Sequence, residues 1–136
     1  MTSTVLDATL LLCDYADEKD GKLYLMGVGW TNFPANTPRT MAIAGLLFVP
    51  WDRANHPFEM DITLVDEDGN EIPEITDSLH IHGKMELGRP PGLKPGVVLN
   101  APFAFVAPGI ALDPGSYAWL LKIDGTELRR ASFTVS

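Results

Sequence analysis

Apolar and polar residues alternate most regularly near the C-terminus, in the stretch LDPGSYAWLLKIDGTELRRASFTV. Between residues 117 and 123 every second position is a large apolar residue, and residues 131–135 resume the alternation. A period of two puts these side chains on one face of each of two β-strands. Asp124 and Gly125 lie between the two runs and are residue types of a tight hairpin turn. The pattern predicts a C-terminal β-hairpin, around which the other segments form layers.

Several further segments show either the same alternation or a short, continuous apolar run between turn residues. Gly27 and Gly29 lie inside one of them and indicate a bulge or a close approach of another part of the backbone. The first and third segments are apolar at almost every central position, which is typical of central strands buried on both faces. We predict strands at residues 4–16, 22–33, 39–49, 58–65, 70–75, 78–87 and 97–106.

The predicted strands number about eight or nine, and turn residues recur at roughly the 8–12-residue spacing of β-sandwiches and barrels. No segment shows sustained helical periodicity. We therefore predict an all-β fold, an antiparallel β-sandwich with immunoglobulin-like or jelly-roll connections, and a closed β-barrel is the alternative. Because the chain has 136 residues and no visible internal repeat, residues 1–136 are expected to form a single domain.

Composition and charge restrict the expected partners and compartment. Eighteen acidic residues against ten basic ones give a formal net charge of −8, which disfavours nucleic-acid binding because phosphates are repelled. No apolar run reaches the roughly 18 residues of a membrane span, and the N-terminus lacks the basic segment and cleavage site of a signal peptide. Cys13 is the only cysteine, which excludes an intramolecular disulfide and fits a reducing compartment. We predict no membrane association and a cytoplasmic or virion location.

The best candidate metal ligands are His80 and His82, because residues i and i+2 of a strand share a face and two imidazoles can bind one metal ion. Two histidines on a polar strand face are more often ordinary surface residues. Further ligands would have to come from His56, Asp61, Glu86 or Cys13. We therefore predict that the protein has no metal site and no cofactor, with His80 and His82 as the alternative.

No catalytic constellation is recognisable in the chain. Cys13 lies in an apolar run without a nearby base, which indicates a buried, inert thiol. Ser116 lies in PGSYA, which differs from the GxSxG nucleophile elbow and precedes a strand. The acidic turn DEDGN has oxygen ligands at alternate positions, but it lacks the glycine and the glutamate that a calcium loop needs at later positions. We predict that the protein is not an enzyme.

Two loops are candidates for binding a protein partner. The loop GRPPGLKPG is stiffened by prolines and carries two cations, Arg89 and Lys94, on an otherwise acidic protein. A preformed, extended loop loses little entropy on binding, so Arg89, Pro90, Pro91 and Lys94 are predicted to contact a partner; the alternative is a plain connection between sheets. Trp51, in the loop PWDRANHP, is predicted to be partly exposed and to anchor a partner.

Four stretches resemble a family of small bacterial proteins, common in actinobacteria and their phages, that carries a domain-of-unknown-function label. They are LLCDYA, GKLYLMGVGW, VPWDRANHPFEMDITLVDEDGNEI and LDPGSYAWLLKIDG. Together they cover 54 of the 136 residues, in the family's order. The resemblance implies a compact β domain and brings no catalytic residues to this sequence.

These observations favour a non-enzymatic structural or protein-interaction module over an enzyme. We expect an accessory component of a larger assembly, such as a phage capsid decoration or minor capsid protein, that binds a protein partner or self-associates. The alternative is a soluble bacterial β domain that binds a small ligand or a metal through His80 and His82.

Overall fold

The computed structural model describes residues 6–73, 75, 81–89, 91–92 and 94–136. Nearly all regular structure in this part of the chain is β-strand, apart from short helical turns such as the 3-10 turn Trp51–Arg53. The strands are β1 Asp7–Ala8, β2 Leu11–Cys13, β3 Tyr15–Lys19, β4 Lys22–Met26, β5 Asn32–Phe33, β6 Arg39–Val49, β7 Phe58–Asp66, β8 Ile81–Met85, β9 Leu99–Ile110, β10 Gly115–Ile123 and β11 Thr126–Val135. No helix among the described residues is long and apolar enough to cross a lipid bilayer.

The strands form two main sheets that face each other. In the first sheet β6 is central, with β1 and β2 on one side and β9 on the other, all antiparallel. The second sheet has the order β5-β11-β10-β7-β8, and only β5 is parallel to its neighbour. Neither sheet closes on itself within the described residues. The predicted antiparallel β-sandwich is confirmed, and the alternative of a closed barrel is wrong.

The connections are those of an immunoglobulin-like sandwich. Strands β6 and β9 lie in one sheet while β7, β10 and β11 lie in the other, which matches the positions of strands B and E against C, F and G in that fold. The Tyr117 hydroxyl donates a hydrogen bond to the carbonyl oxygen of Asp113 at 2.8 Å. This contact at the start of β10 is the tyrosine corner of immunoglobulin-like domains. Of the two predicted connection types, the immunoglobulin-like one is present.

The main core lies between the two sheets, where inward-facing residues of β6 and β9 meet those of β7, β10 and β11. Trp119 is at its centre and is completely buried; its indole nitrogen lies 3.2 Å from the sulfur of Met41 on the opposite sheet. The predicted C-terminal hairpin is confirmed, since Asp124 and Gly125 join β10 to β11 with φ of 50° and 83°. The alternation read from the sequence therefore positions the core.

The prediction of one central strand at residues 4–16 is wrong. In the described part this segment forms β1, β2 and β3, and the first two lie on the side of β6 away from β9. A Cβ atom on Gly45 of β6 would lie 2.0 Å from the carbonyl oxygen of Thr9, so the backbone between β1 and β2 occupies the space of a missing side chain. The continuous apolar run thus reflects three short strands in different surroundings.

Other predicted boundaries also change. The segment 22–33 divides into β4 and β5, because Gly27 and Gly29 adopt φ of 67° and 98° and turn the chain. Among the described residues of the segment 70–75, strand pairing is limited to an isolated bridge between Val65 and Glu71. The strand predicted at 97–106 lies at Leu99–Ile110 instead, and part of the segment 78–87 lies outside the described residues.

Candidate functional site

The β3–β4 hairpin forms a third layer on the outer face of the first sheet. Its inner side packs on short side chains, which let the two-stranded ribbon lie close to the sheet. This small apolar cluster consists of Cys13, Ala16, Ala42 and Ala44, with Leu25 and Ala104 partly buried against it. The alanines of β6 and β9 thus provide the platform on which the hairpin rests.

The outer side of the same hairpin, here called the hairpin face, carries an exposed apolar patch. Tyr15 and Met26 are direct cross-strand partners, and Tyr24 lies two residues before Met26 on the same face. Their exposed fractions are 49%, 67% and 55%, and Val28 in the following turn is 48% exposed. The largest contiguous apolar patch on a soluble protein is often a functional surface. Tyrosine and methionine are also enriched at protein interfaces.

Charged residues complete the hairpin face towards its tip. Asp17 is the cross-strand partner of Tyr24, and Lys19 is the partner of Lys22 next to the Asp20-Gly21 turn. Like charges directly opposite each other destabilise a strand pair. Neither lysine has an ion-pair partner within the described ranges. The patch therefore ends in two adjacent lysines, with the carboxylates of Asp17 and Asp20 near them in the sequence, on a protein with a net charge of −8.

The alternation along the sequence does not predict this surface. It shows that Tyr24 and Met26 of β4 face one way and Leu23 and Leu25 the other, but both sets are apolar. Which set is buried depends on the small alanines of β6 and β9, which lie far away in the chain. The residue types were the signal that could have indicated the exposed side, because the aliphatic leucines face the sheet and the tyrosine and methionine face solvent.

Two of the predicted partner-binding residues, Trp51 and Arg89, contact each other. The guanidinium carbon of Arg89 lies 3.5 Å from the centre of the Trp51 ring, which is cation–π geometry. Arg89 Nε and Nη2 also donate hydrogen bonds to the Trp51 carbonyl oxygen at 3.2 and 3.0 Å. Both residues are half-buried. Arg89 thus joins its loop to the 3-10 turn, and Trp51 presents less free ring surface than an exposed anchor.

The rest of the predicted loop site is described only in part. Pro91 and Lys94 are exposed, and Pro90 lies outside the described residues. Trp51 Nε1 is buried and has no hydrogen-bond partner in the part of the chain that the structure describes. The structure thus brings Trp51 and Arg89 together and leaves Pro91 and Lys94 on the surface.

The predicted metal ligands do not form a described site. His82 is exposed on β8, with Nδ1 3.5 Å from a carboxylate oxygen of Asp61, and His80 lies outside the described residues. His56 is exposed in the turn before β7, whereas Cys13 is buried under the hairpin on the other sheet. Within the described ranges no group of three or more His, Cys, Asp or Glu residues could hold a metal ion.

A shallow groove of about 660 Å³ lies on the outer face of the second sheet. Its floor is formed by small residues of β10 and β11, including Ala118 and Ser132, and one wall by the acidic turn that begins at Asp66. Asp66 Oδ1 accepts hydrogen bonds from the amides of Asp68 and Asn70, at 2.9 and 3.0 Å. That carboxylate therefore stabilises its own turn, which is the hairpin interpretation of the DEDGN sequence.

Cys13 offers a direct test of how the hairpin packs. It has no exposed surface, and burial raises the pKa of its thiol, with the negative charge of Asp14 raising it further. Only the thiolate attacks disulfide reagents. We expect Cys13 to react at pH 8 at least about a hundredfold more slowly in the folded protein than in denaturant, measured with Ellman's reagent.

The matched control is Thr126→Cys in a Cys13→Ser background, because residue 126 is exposed at the start of β11, next to the turn that follows β10. Its folded-state and denatured-state rates should be similar. A folded-state rate for Cys13 within about tenfold of the denatured rate would show that the hairpin does not cover the sheet.

Two solved structures are similar in outline and low in sequence identity. An immunoglobulin-like protein from Pseudomonas aeruginosa is 12% identical, with 98% of this chain and 94% of that chain covered and a TM-score of 0.41. The alkylpurine DNA glycosylase AlkC of Pseudomonas fluorescens, bound to DNA containing an abasic-site analogue, is 12% identical with a TM-score of 0.42. The match covers 96% of this chain and 30% of the glycosylase, so this chain spans about a third of that protein. No curated protein matches the chain.

A protein-family model matches almost all of the described fold, from β1 to the end of β11. The matched segment, residues 8–136, includes the β3–β4 hairpin and its exposed face. The chain belongs to DUF6941, a family of unknown function.

Proposed function

We propose that the protein is a non-enzymatic interaction module, an accessory component of a larger assembly, that binds a protein partner through the hairpin face. The observation that carries the proposal is the exposure of Tyr15, Tyr24 and Met26 on one side of a two-stranded ribbon. Leaving such side chains in water is unfavourable by roughly 25 cal/mol per Å² of apolar surface. A partner that covers them recovers this free energy.

The chemistry of the described residues supports a binding role over catalysis. Cys13, the one strong nucleophile type in the chain, is buried, and its raised pKa keeps the thiol protonated. The half-buried Trp51 and Arg89 are engaged with each other. The hairpin face is the surface whose residue types, aromatic rings and a methionine rimmed by charges, resemble those of protein interfaces.

We propose a phage capsid as an example of the larger assembly. The proposed actinobacterial or phage origin rests on the sequence resemblance. The alternative, a soluble ligand-binding domain, has some support from the groove of about 660 Å³, which falls in the usual range of roughly 300–1,000 Å³. Ligand sites are usually lined by apolar residues, however, while this groove is lined largely by small polar and acidic ones.

Site-specific photo-crosslinking in the native source tests the proposed function. A benzoylphenylalanine placed at position 24 should crosslink to one identified protein in stoichiometric amounts, because Tyr24 is 55% exposed within the patch. The matched control is the same photoreactive residue at position 98, since Val98 is 53% exposed but lies just before β9. Equal crosslinking at the two positions, or none at position 24, would overturn the proposal.

A further inference from the structure

We infer that the occupant of the hairpin face is a second copy of this chain, bound face to face about a two-fold axis that passes through the apolar patch. The inference rests on the proposed function and adds the identity of the partner. Two-fold dimers are the commonest homo-oligomers, and each patch then covers the same patch on the other copy. The two ribbons stack as sheets do, about 10 Å apart.

The exposed apolar area fits a dimer of ordinary size. An aromatic side chain buries roughly 150–250 Å², so the two half-exposed tyrosines offer on the order of 200 Å² per chain. Met26 and Val28 are exposed to a similar degree and add a comparable apolar area. Two copies together bring on the order of 800 Å² of apolar surface. That is about the apolar share of an interface of roughly 1,200–2,000 Å², the size of stable complexes.

The charges on the hairpin are complementary to those of a rotated copy. A two-fold axis that lies between the ribbons and runs across the strands lays the hairpins antiparallel, so that the tip of each one lies over the base of the other, whereas an axis along the strands would stack the lysines of the two tips on each other. Lys19 and Lys22 are at the tip and lack ion-pair partners within the described ranges. Asp14 is exposed at the base, with its carboxylate beside Gly27. The arrangement therefore places two lysines of each copy near an aspartate of the other.

The same arrangement matches the apolar residues. In an antiparallel pair of hairpins centred on the patch, Tyr24 and its cross-strand partner Asp17 of one copy meet the Tyr15–Met26 pair of the other. This contact buries both patches in one interface with a single carboxylate, Asp17, from each copy, whereas docking on the groove of another copy would set the rings against the three acidic residues 66–68. Burial of the patch thus favours the face-to-face dimer over a head-to-tail chain.

Sedimentation equilibrium of the purified full chain tests the inference. We expect a reversible dimer whose dissociation constant rises at least about tenfold in Met26→Asp, because the variant buries an unpaired charge at the centre of the interface. Val98→Asp is the matched control, since Val98 is similarly exposed but lies just before β9 and outside the hairpin, and it should dimerise like the wild type. A chain that stays monomeric at about millimolar concentration, or equal dissociation constants for the two variants, would overturn the inference.

A charge exchange tests the antiparallel geometry without touching the patch. Lys19→Glu/Lys22→Glu makes tip and base both negative, and Asp14→Lys makes both positive, so each variant alone should dimerise at least about tenfold more weakly. A mixture of the two variants should form heterodimers with near wild-type affinity, read by sedimentation of one labelled variant. If the mixture binds as weakly as each variant alone, the tip of one copy does not lie over the base of the other and the inference is wrong.

The experiments separate this inference from the proposed function. If the purified chain is monomeric but position 24 crosslinks to a different, identified protein in the source, the interaction module stands and the second copy is wrong. If position 24 crosslinks to nothing and the chain is monomeric, both are wrong. Circular dichroism of each variant checks the fold. We expect it to be unchanged because every substituted side chain is exposed.

Discussion

Replacing Trp119 with alanine is expected to lower the free energy of unfolding by about 3–5 kcal/mol, the usual cost of removing a buried aromatic side chain. Trp119 is completely buried between the sheets, and its indole nitrogen contacts the sulfur of Met41 across the core. The variant loses the transfer free energy of the ring. The cavity that the ring leaves costs further stability, because the side chains around it lose their packing contacts. Since domains are stable by only about 5–15 kcal/mol, urea denaturation should show a much lower midpoint.

Trp119→Phe separates the two contributions. The smaller ring keeps much of the packing but removes the N–H group next to Met41, so we expect a loss of about 1–3 kcal/mol, between wild type and alanine. Leu11→Ala is the surface control, because Leu11 is 37% exposed, and it should change stability by less than about 1 kcal/mol. A Trp119→Ala protein as stable as the Leu11→Ala control would mean that the two sheets do not pack on this residue.

The sequence predicted the second sheet well because local rules decide it. Strand β10 alternates with a period of two, and Asp124-Gly125 allows only a short connection to β11. The turn sets the pairing of Ile123 with Thr126, and a β-bulge next to Leu121 then shifts the register by one residue, so that Trp119 lies opposite Ala131 and not opposite Arg130. The same reasoning placed β6 at its observed bounds, residues 39–49.

Long-range contacts explain where the sequence predictions failed. The break between β1 and β2 depends on Gly45, a residue of another strand, because the carbonyl of Thr9 approaches its Cα closely. The contact of Trp51 with Arg89, which lies 38 residues later, is a second long-range pair that the pattern does not predict. The exposure of Tyr24 likewise depends on alanines of the first sheet. None of these pairs follows from periodicity, since each joins segments that the turn pattern treats as independent.

The candidate site could therefore be predicted only in part from the sequence. Sequence alone separates the Tyr24–Met26 side of β4 from the Leu23–Leu25 side, which defines the two faces of the hairpin. The structure adds the small platform beneath the hairpin and thereby decides which face stays in water. A β-hairpin with two apolar faces exposes an interaction surface when the sheet beneath it can bury only one of them.

Gly45→Val is expected to lower the free energy of unfolding by about 3 kcal/mol or more, because no side chain fits at this position without moving backbone atoms. A Cβ atom there would lie 2.0 Å from the Thr9 carbonyl oxygen and 2.7 Å from the Phe103 ring. The valine must displace the segment between β1 and β2. Arg129 holds that segment to β11 by donating a hydrogen bond from Nε to the Ala8 carbonyl at 2.9 Å, so the displacement also weakens the link between the sheets.

Gly83→Val is the matched control for this prediction. Gly83 lies in β8 without a positive φ, and a Cβ atom added there would meet no described atom within 4 Å. Valine should therefore be neutral or slightly stabilising, because it restricts the unfolded chain and favours a strand. Both variants are compared with wild type by urea denaturation, and hydrogen exchange at Ala8 and Leu46 reports on the pairing near Gly45. Equal stability of the two variants would show that Thr9 does not approach Gly45 and that β1 and β2 instead form the single continuous strand that the apolar run predicts.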